Sequence, residues 1–211
     1  MTPDKDIWKA IHELKPGEEL KRVPGTNKSL WTILTELLIF DRTAGGCSNV
    51  YGAYEVTLGS LALRGAGPYL KSKRRTDRID YMTVSGLHGD GEIKCYELKA
   101  TLSDLHSTAA LSFVGDLNYL VVHPAIADAA LDEMEPHIGI MTCGQMRDGR
   151  WEPRDITSIR KAKRVEAQIT AERARMLMFR SMAYRINSVT CANAKNAICA
   201  VGLFERLEAK A

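Results

Sequence analysis

The sequence predicts an α/β fold, a sheet with helices packed on it. Three observations carry the prediction. Two runs rich in β-branched and aromatic residues, "RIDYMTVS" (78–85) and "EIKCYELKA" (92–100), are joined by "GLHGDG", whose Asp90-Gly91 is a hairpin turn signal. A helix start follows the second run, because Thr101 and Asp104 have the form of a capping box. A continuous apolar run, "LNYLVVH" (117–123), supplies a further strand.

Taken in order, residues 1–28 are charged and broken by "KPG" and "VPGTN", a loose lead-in. "NKSLWTILTELLIFDR" predicts a helix capped by Ser29, with Leu30, Ile33, Leu34, Leu37 and Leu38 on one face. "TAGGCSN" ends it, and "VYGAYEVTLGSLAL" reads as a strand. "RGAGPYLKSKRRTD" is a turn-rich basic loop that leads into the hairpin. After the hairpin, "TLSDLHSTAALSFVG" predicts a helix from Thr101 to a stop at Gly115. "HIGIMTC" predicts another strand. From about Arg154 the tail reads as helical and basic, with Val165, Ile169, Met176, Phe179, Ala183 and Ile186 as an interrupted apolar stripe. A last short helix is expected over "AVGLFERLEA". The expected organisation is a lead-in (1–28), an α/β domain (29–150) and a basic helical extension (151–211), whose helices offer a face for a homodimer.

Composition narrows the class. The 211 residues are 45% hydrophobic and 26% charged, ordinary for a globular chain. A net charge of +3 is compatible with a nucleic-acid partner. No apolar run reaches the length of a membrane span, and the N-terminus lacks a signal-peptide pattern. Five scattered cysteines, Cys47, Cys95, Cys143, Cys191 and Cys199, form no Cys-x-x-Cys pair and suit a reducing cytoplasm.

The chemistry concentrates at "YELKATLSD" (96–104). Glu-x-Lys recurs at Glu13–Lys15, Glu19–Lys21 and Glu208–Lys210, so the tripeptide alone says little. The copy at Glu97 has a context that those lack. Side chains alternate along a strand, so Cys95, Glu97 and Lys99 point the same way. Pairing around the Asp90-Gly91 turn can set Asp80 beside Glu97. Two carboxylates and a lysine then meet in one patch. With a backbone carbonyl, that of Leu98, they suit a hard divalent cation that keeps several waters. Such a set performs phosphodiester hydrolysis. The competing explanation is a cross-strand ion pair at a sheet edge.

With "RIDYMTV", "IKCYELKATLSDL", "GDLNYLVV" and "PHIGIM" in hand, the chain resembles the PD-(D/E)xK nuclease superfamily. Within it the chain looks most like MmcB-type DNA-repair proteins and small phage proteins. The matching residues are Arg78 and Asp80, Glu97 and Lys99, Thr101 and Ser103, Asp104-Leu105, and Asn118 to Val122. The resemblance covers roughly residues 51–143. It implies a restriction-endonuclease-like core, a mixed sheet flanked by helices, and a phage or mobile-element source. It implies that Asp80, Glu97 and the Leu98 carbonyl bind Mg²⁺ (Mn²⁺ as substitute) and that Lys99 is catalytic. A further acid is either Glu55, ranked first, or Glu36. DNA is the implied partner. Lys71, Lys73, Arg74, Arg75 and Arg78, just ahead of Asp80, are the expected phosphate contacts. "RKAKR" (160–164) is a second basic surface. The alternative is the same fold kept as a weakly active or inactive DNA- or protein-binding module, a repair accessory or an inhibitor of host defence.

Overall fold

The computed structural model describes residues 13–23, 26–45, 49–58, 78–107 and 111–191. Six strands form one open mixed sheet in chain order: β1 (Val50–Thr57), β2 (Arg78–Ser85), β3 (Ile93–Lys99), β4 (Leu117–Val122), β5 (Gly139–Arg147) and β6 (Arg150–Arg160). β1, β2 and β3 are antiparallel neighbours, β3, β4 and β5 run parallel, and β6 returns antiparallel. The helices are α1 (Leu30–Phe40), α2 (Leu102–Leu105), α3 (Ala127–Glu133) and α4 (Ala171–Cys191). The chain is therefore an α/β fold, a mixed sheet flanked by helices with a helix after the last strand. No helix among the described residues is long and apolar enough to cross a membrane.

Period-two alternation divides the core between the two faces. Tyr81, Tyr96, Leu98, Val121 and Ile156 pack with α1 through Trp31, Leu34 and Ile39. Met82, Val84, Ile93 and Cys95 pack with α4 through Ala171, Ala174, Leu177 and Met178. Farther along, Leu120, Val122 and Ile140 pack with Ile126 and Ala130 at the start of α3. Four tyrosines, Tyr54, Tyr81, Tyr96 and Tyr119, occupy paired positions on four neighbouring strands. Their rings follow one another at centroid separations of 4.6, 5.7 and 5.2 Å. Aromatic cross-strand pairs of this kind stabilise a sheet and pin its register. The row ends where Gly139 pairs with Tyr119, and a Cβ at Gly139 would fall 2.5 Å from the Tyr119 ring.

Several expectations are corrected. Ser29 does cap α1, accepting from the Thr32 N–H at 3.1 Å. The buried side of α1 is Trp31, Leu34, Thr35 and Ile39, rotated from the leucine face. The helix expected up to Gly115 stops after one turn at Leu105. Phe113 and Val114 are buried without regular structure. Gly115 is a point of close approach, since a Cβ there would lie 2.7 Å from the Ile93 carbonyl. The tail from Arg154 is not helical from its start, because residues 150–160 are β6. The two-residue turn Asp148-Gly149, at φ 50° and 71°, joins β5 to β6 as an Asp-Gly hairpin. Pro153 is tolerated because β6 is an edge strand. On α4, Met178 is buried while Met176, Phe179 and Met182 stay exposed. The expected helix over 200–209 lies outside the described residues.

Candidate active site

The three residues of the predicted patch do meet. Tyr81 pairs with Tyr96, so one further step brings Asp80 level with Glu97. β3 then ends at Lys99, beside the carboxyl end of β4. Ligands of open α/β sheets favour such strand ends. Asp80, Glu97, Leu98 and Lys99 line one cavity of about 840 Å³, together with Thr32 and Glu36 of α1, Glu55 and Arg78.

Each side chain is held by local structure. Asp80 Oδ2 accepts the Leu98 N–H at 2.8 Å. Glu97 is 3% exposed, and its Oε1 accepts the Ser112 N–H at 3.3 Å. Lys99 is 5% exposed, with its ammonium 3.5 Å from Asp104 Oδ1. Thr101 caps the helix as expected, but the return bond from Asp104 goes to the residue before the cap and not to Thr101 itself. Thr101 Oγ1 accepts the Asp104 N–H at 3.1 Å, and Asp104 Oδ2 accepts the Ala100 N–H at 3.4 Å. The one turn of α2 therefore serves mainly to fix Asp104 against Lys99.

Electrostatics follow from burial. Desolvation raises the Glu97 carboxyl well above the usual range, and the Asp80 carboxylate adds to the rise against the pull of Lys99. Burial likewise raises Asp80, opposed by the Leu98 N–H and Lys99. Two adjoining acids with raised pKa values in a cleft are the pattern expected of a working site.

Glu55 and Glu36 both border the cavity. Glu55 stands level with Asp80, at the one position skipped between the pairs Tyr54–Tyr81 and Val56–Ile79. Its φ of 49° is left-handed, a strained conformation for a residue with a side chain. Lys28 lies 3.2 Å from Glu55 Oε1 and 2.5 Å from Glu36 Oε1. Arg185 donates to Glu55 Oε2 at 2.7 Å and to the Tyr54 carbonyl at 2.8 Å. Burial would raise Glu55, but Lys28 and Arg185 outweigh it and hold its carboxyl below the usual value. Glu36 stays raised, because desolvation exceeds the pull of Lys28. Thus Glu55 is near the pair and already paired to cations.

Other expected residues sort clearly. Arg78 lines the cavity and lies 4.0 Å from Glu55. Lys71, Lys73, Arg74 and Arg75 lie outside the described residues. Of the "RKAKR" run, Arg160 is a structural residue. Its guanidinium donates to the carbonyls of Leu131, Met134, Glu135 and Ile138. His106 pairs with Glu133 at 2.8 Å, and neither His106 nor His88 lines the cavity. Cys95 is buried, its thiol pushed up to about 12 by desolvation, as befits a core residue. A further Glu-x-Lys, Glu92–Lys94, opens β3, where the two ends pair at 2.9 Å.

Two features escaped sequence reasoning. Lys28, in the lead-in, is the cation between Glu36 and Glu55. Glu19 and His123, 4% and 2% exposed, face one another at 3.5 Å, and the His123 N–H donates to the Lys99 carbonyl at 3.1 Å. No spacing rule links residues so far apart in the chain.

The donor set suits a hard divalent cation. Asp80 and Glu97 supply oxygen ligands; burial, more than charge, raises both carboxyls, and a bound cation would favour their ionised forms. Among the described residues no three His, Cys, Asp or Glu side chains converge on one point. Two carboxylates with waters completing the shell is an ordinary arrangement for Mg²⁺.

No family model matches the chain, and no curated protein matches it. A solved structure of a protein of unknown function from Silicibacter pomeroyi is similar at 16% identity and a TM-score of 0.42, over 87% of this chain and 95% of that one.

Proposed function

We propose that the chain is a metal-dependent nuclease-like protein that hydrolyses phosphodiester bonds of DNA. The carrying observation is the convergence of Asp80, Glu97 and Lys99 at one cavity, with both carboxyls raised by burial. Asp80 and Glu97 would hold Mg²⁺, with the Leu98 carbonyl as a further ligand. A bound divalent cation supplies a more acidic water and offsets charge on the phosphate. Lys99, buried and steered by Asp104, places an ammonium where it orients the attacking water and stabilises phosphoryl oxygens. Arg22, Lys28 and Arg78 on the cavity wall offer sequence-independent contacts to the backbone phosphates. The net reaction adds water across one P–O bond and needs no redox partner. The test is nicking of single-stranded, duplex and branched DNA with Mg²⁺ or Mn²⁺. Activity is expected to fall by at least about a hundredfold in Lys99→Ala and Asp80→Asn. Undiminished cleavage by both variants refutes the proposal.

A second reading has its own observation. Lys28 and Arg185 already occupy both oxygens of Glu55, the third acid level with the pair. A site balanced by internal cations suits a DNA- or protein-binding module with little turnover. DNA binding indifferent to a chelator, with no cleavage of any substrate, selects this reading.

A further inference from the structure

A second cavity lies at the opposite end of α1. The first takes in Thr32 and Glu36. The second, of about 330 Å³, takes in Ile39 and the residues just beyond the helix, Arg42 and Thr43. We infer that it is a ligand site of its own, built for a flat ring that carries an oxyanion.

The walls are apolar and the placed groups are few, as in small-molecule sites of this size. Ile39, Val50, Met141 and Ile156 form the walls. Tyr96 and Tyr119 form the aromatic side, stacked at 13° and 5.2 Å. Tyr81 adjoins the other side of Tyr96, and Gly139 lies against Tyr119. Tyr96 and Tyr119 thus cover one face of each other. Ring edges carry the positive end of the aromatic quadrupole, so they attract either the face of another ring or an oxyanion.

Two hydroxyls carried on buried side chains make the case specific. Tyr96 is 4% exposed and Thr83 is 2% exposed, and both line the cavity. Neither hydroxyl makes a hydrogen bond to another described residue. Each hydroxyl opens onto the cavity with a donor and an acceptor to offer a ligand. The cations are placed to serve the same oxyanion. Lys94 is the register partner of Thr83. Arg42 borders the cavity too. Lys94 is held by Glu92 at 2.9 Å and Arg42 by Asp155 at 3.3 Å. The Lys94–Glu92 pair is partly exposed and the Arg42–Asp155 pair is exposed, so Lys94 can turn to an incoming oxyanion at modest cost, while Arg42 is also held by the Ile156 carbonyl.

The shared chemistry has two sources, a nucleotide or a free aromatic carboxylate. The site does not depend on the hydrolysis proposed above, so its test uses Lys99→Ala protein free of divalent metal. Met141 lines the cavity and reports occupancy. Protein labelled at its methionine methyl groups is titrated with thymidine 5′-monophosphate, and separately with benzoate. The Met141 signal is assigned through Met141→Leu. A saturable shift of that signal is expected with one of the two probes. A shift with the nucleotide identifies a nucleic-acid source, and a shift with benzoate alone identifies a free aromatic acid. Tyr96→Phe and Thr83→Val keep shape and remove one hydroxyl each, and each should weaken binding by about fivefold to tenfold. Lys94→Gln, at a half-exposed position where the fold is not at risk, should weaken it by at least about threefold. No saturable shift with either probe up to about 10 mM, or affinity unchanged in all three variants, overturns the inference.

Discussion

Glu97→Gln should make the protein more stable and less able to respond to metal. Glu97 is 3% exposed, receives a single N–H bond at 3.3 Å and stands level with Asp80. Glutamine keeps the shape, still accepts from Ser112 and can donate to Asp80, while the buried charge disappears. Relief of this kind is expected to add about 1–2 kcal/mol at neutral pH. For a chain of this length that corresponds to a rise in Tm of about 3–6 °C. The sign with pH follows from the raised carboxyl. An acid whose folded pKa lies above its unfolded value stabilises the fold when protonated, and that contribution is lost as pH rises through the folded value. The gap between variant and wild type should therefore be widest at neutral pH and close as pH falls toward the ordinary carboxylate range. Metal provides the second axis. If the proposed site binds Mg²⁺, wild type should gain about 2.7 kcal/mol at a hundredfold excess of the ion over its Kd. The variant should gain little. Differential scanning calorimetry across pH, with and without Mg²⁺, measures both. A lower Tm for Glu97→Gln with an intact Mg²⁺ response refutes the reasoning.

Four further outcomes follow. Lys28→Met leaves Glu36 and Glu55 facing each other without their shared ammonium and should cost about 1–2 kcal/mol at pH 7. The deficit should shrink toward pH 5 as the already raised Glu36 takes a proton, a trend visible in urea melts at several pH values. Gly139→Ala places a Cβ 2.5 Å from the Tyr119 ring and 2.7 Å from the Ala162 nitrogen, so denaturation should show a loss of about 1–3 kcal/mol. Arg160→Met strips four carbonyls of their donor and should cost about 2–3 kcal/mol in the same assay. Glu55→Gly removes a left-handed strain of about 1–2 kcal/mol along with the ion pairs, so its melting point should stay close to wild type.

Much of the sheet could be read from the chain because local signals agreed with the fold. β2, β3 and β4 are dense in β-branched and aromatic residues, and period two placed Glu97 and Lys99 on one side. Ser29 and Thr101 cap the helix starts as their side chains allow. β6 was missed because Pro153 and many charges hide an edge strand, although Asp148-Gly149 signals the hairpin. The stop at Leu105 was missed because a capping box announces a start and says nothing of length. The buried side of α4 was misjudged because its apolar residues lie on two faces, and only packing against β1 and β2 selects Ala174 and Leu177. The row of four tyrosines needs the register between strands, which single-strand patterns do not contain. Lys28 and the Glu19–His123 pair needed the path of the lead-in across the strand ends.

Asp80 and Glu97 are proposed to form a divalent-cation site beside Lys99. This is tested most directly by growing crystals, soaking them in Mn²⁺ and measuring anomalous scattering. An anomalous peak is expected between the two carboxyl groups, absent from Asp80→Asn crystals treated in the same way. A fully soaked wild-type crystal with no peak there, or an equal peak in the variant, would contradict it.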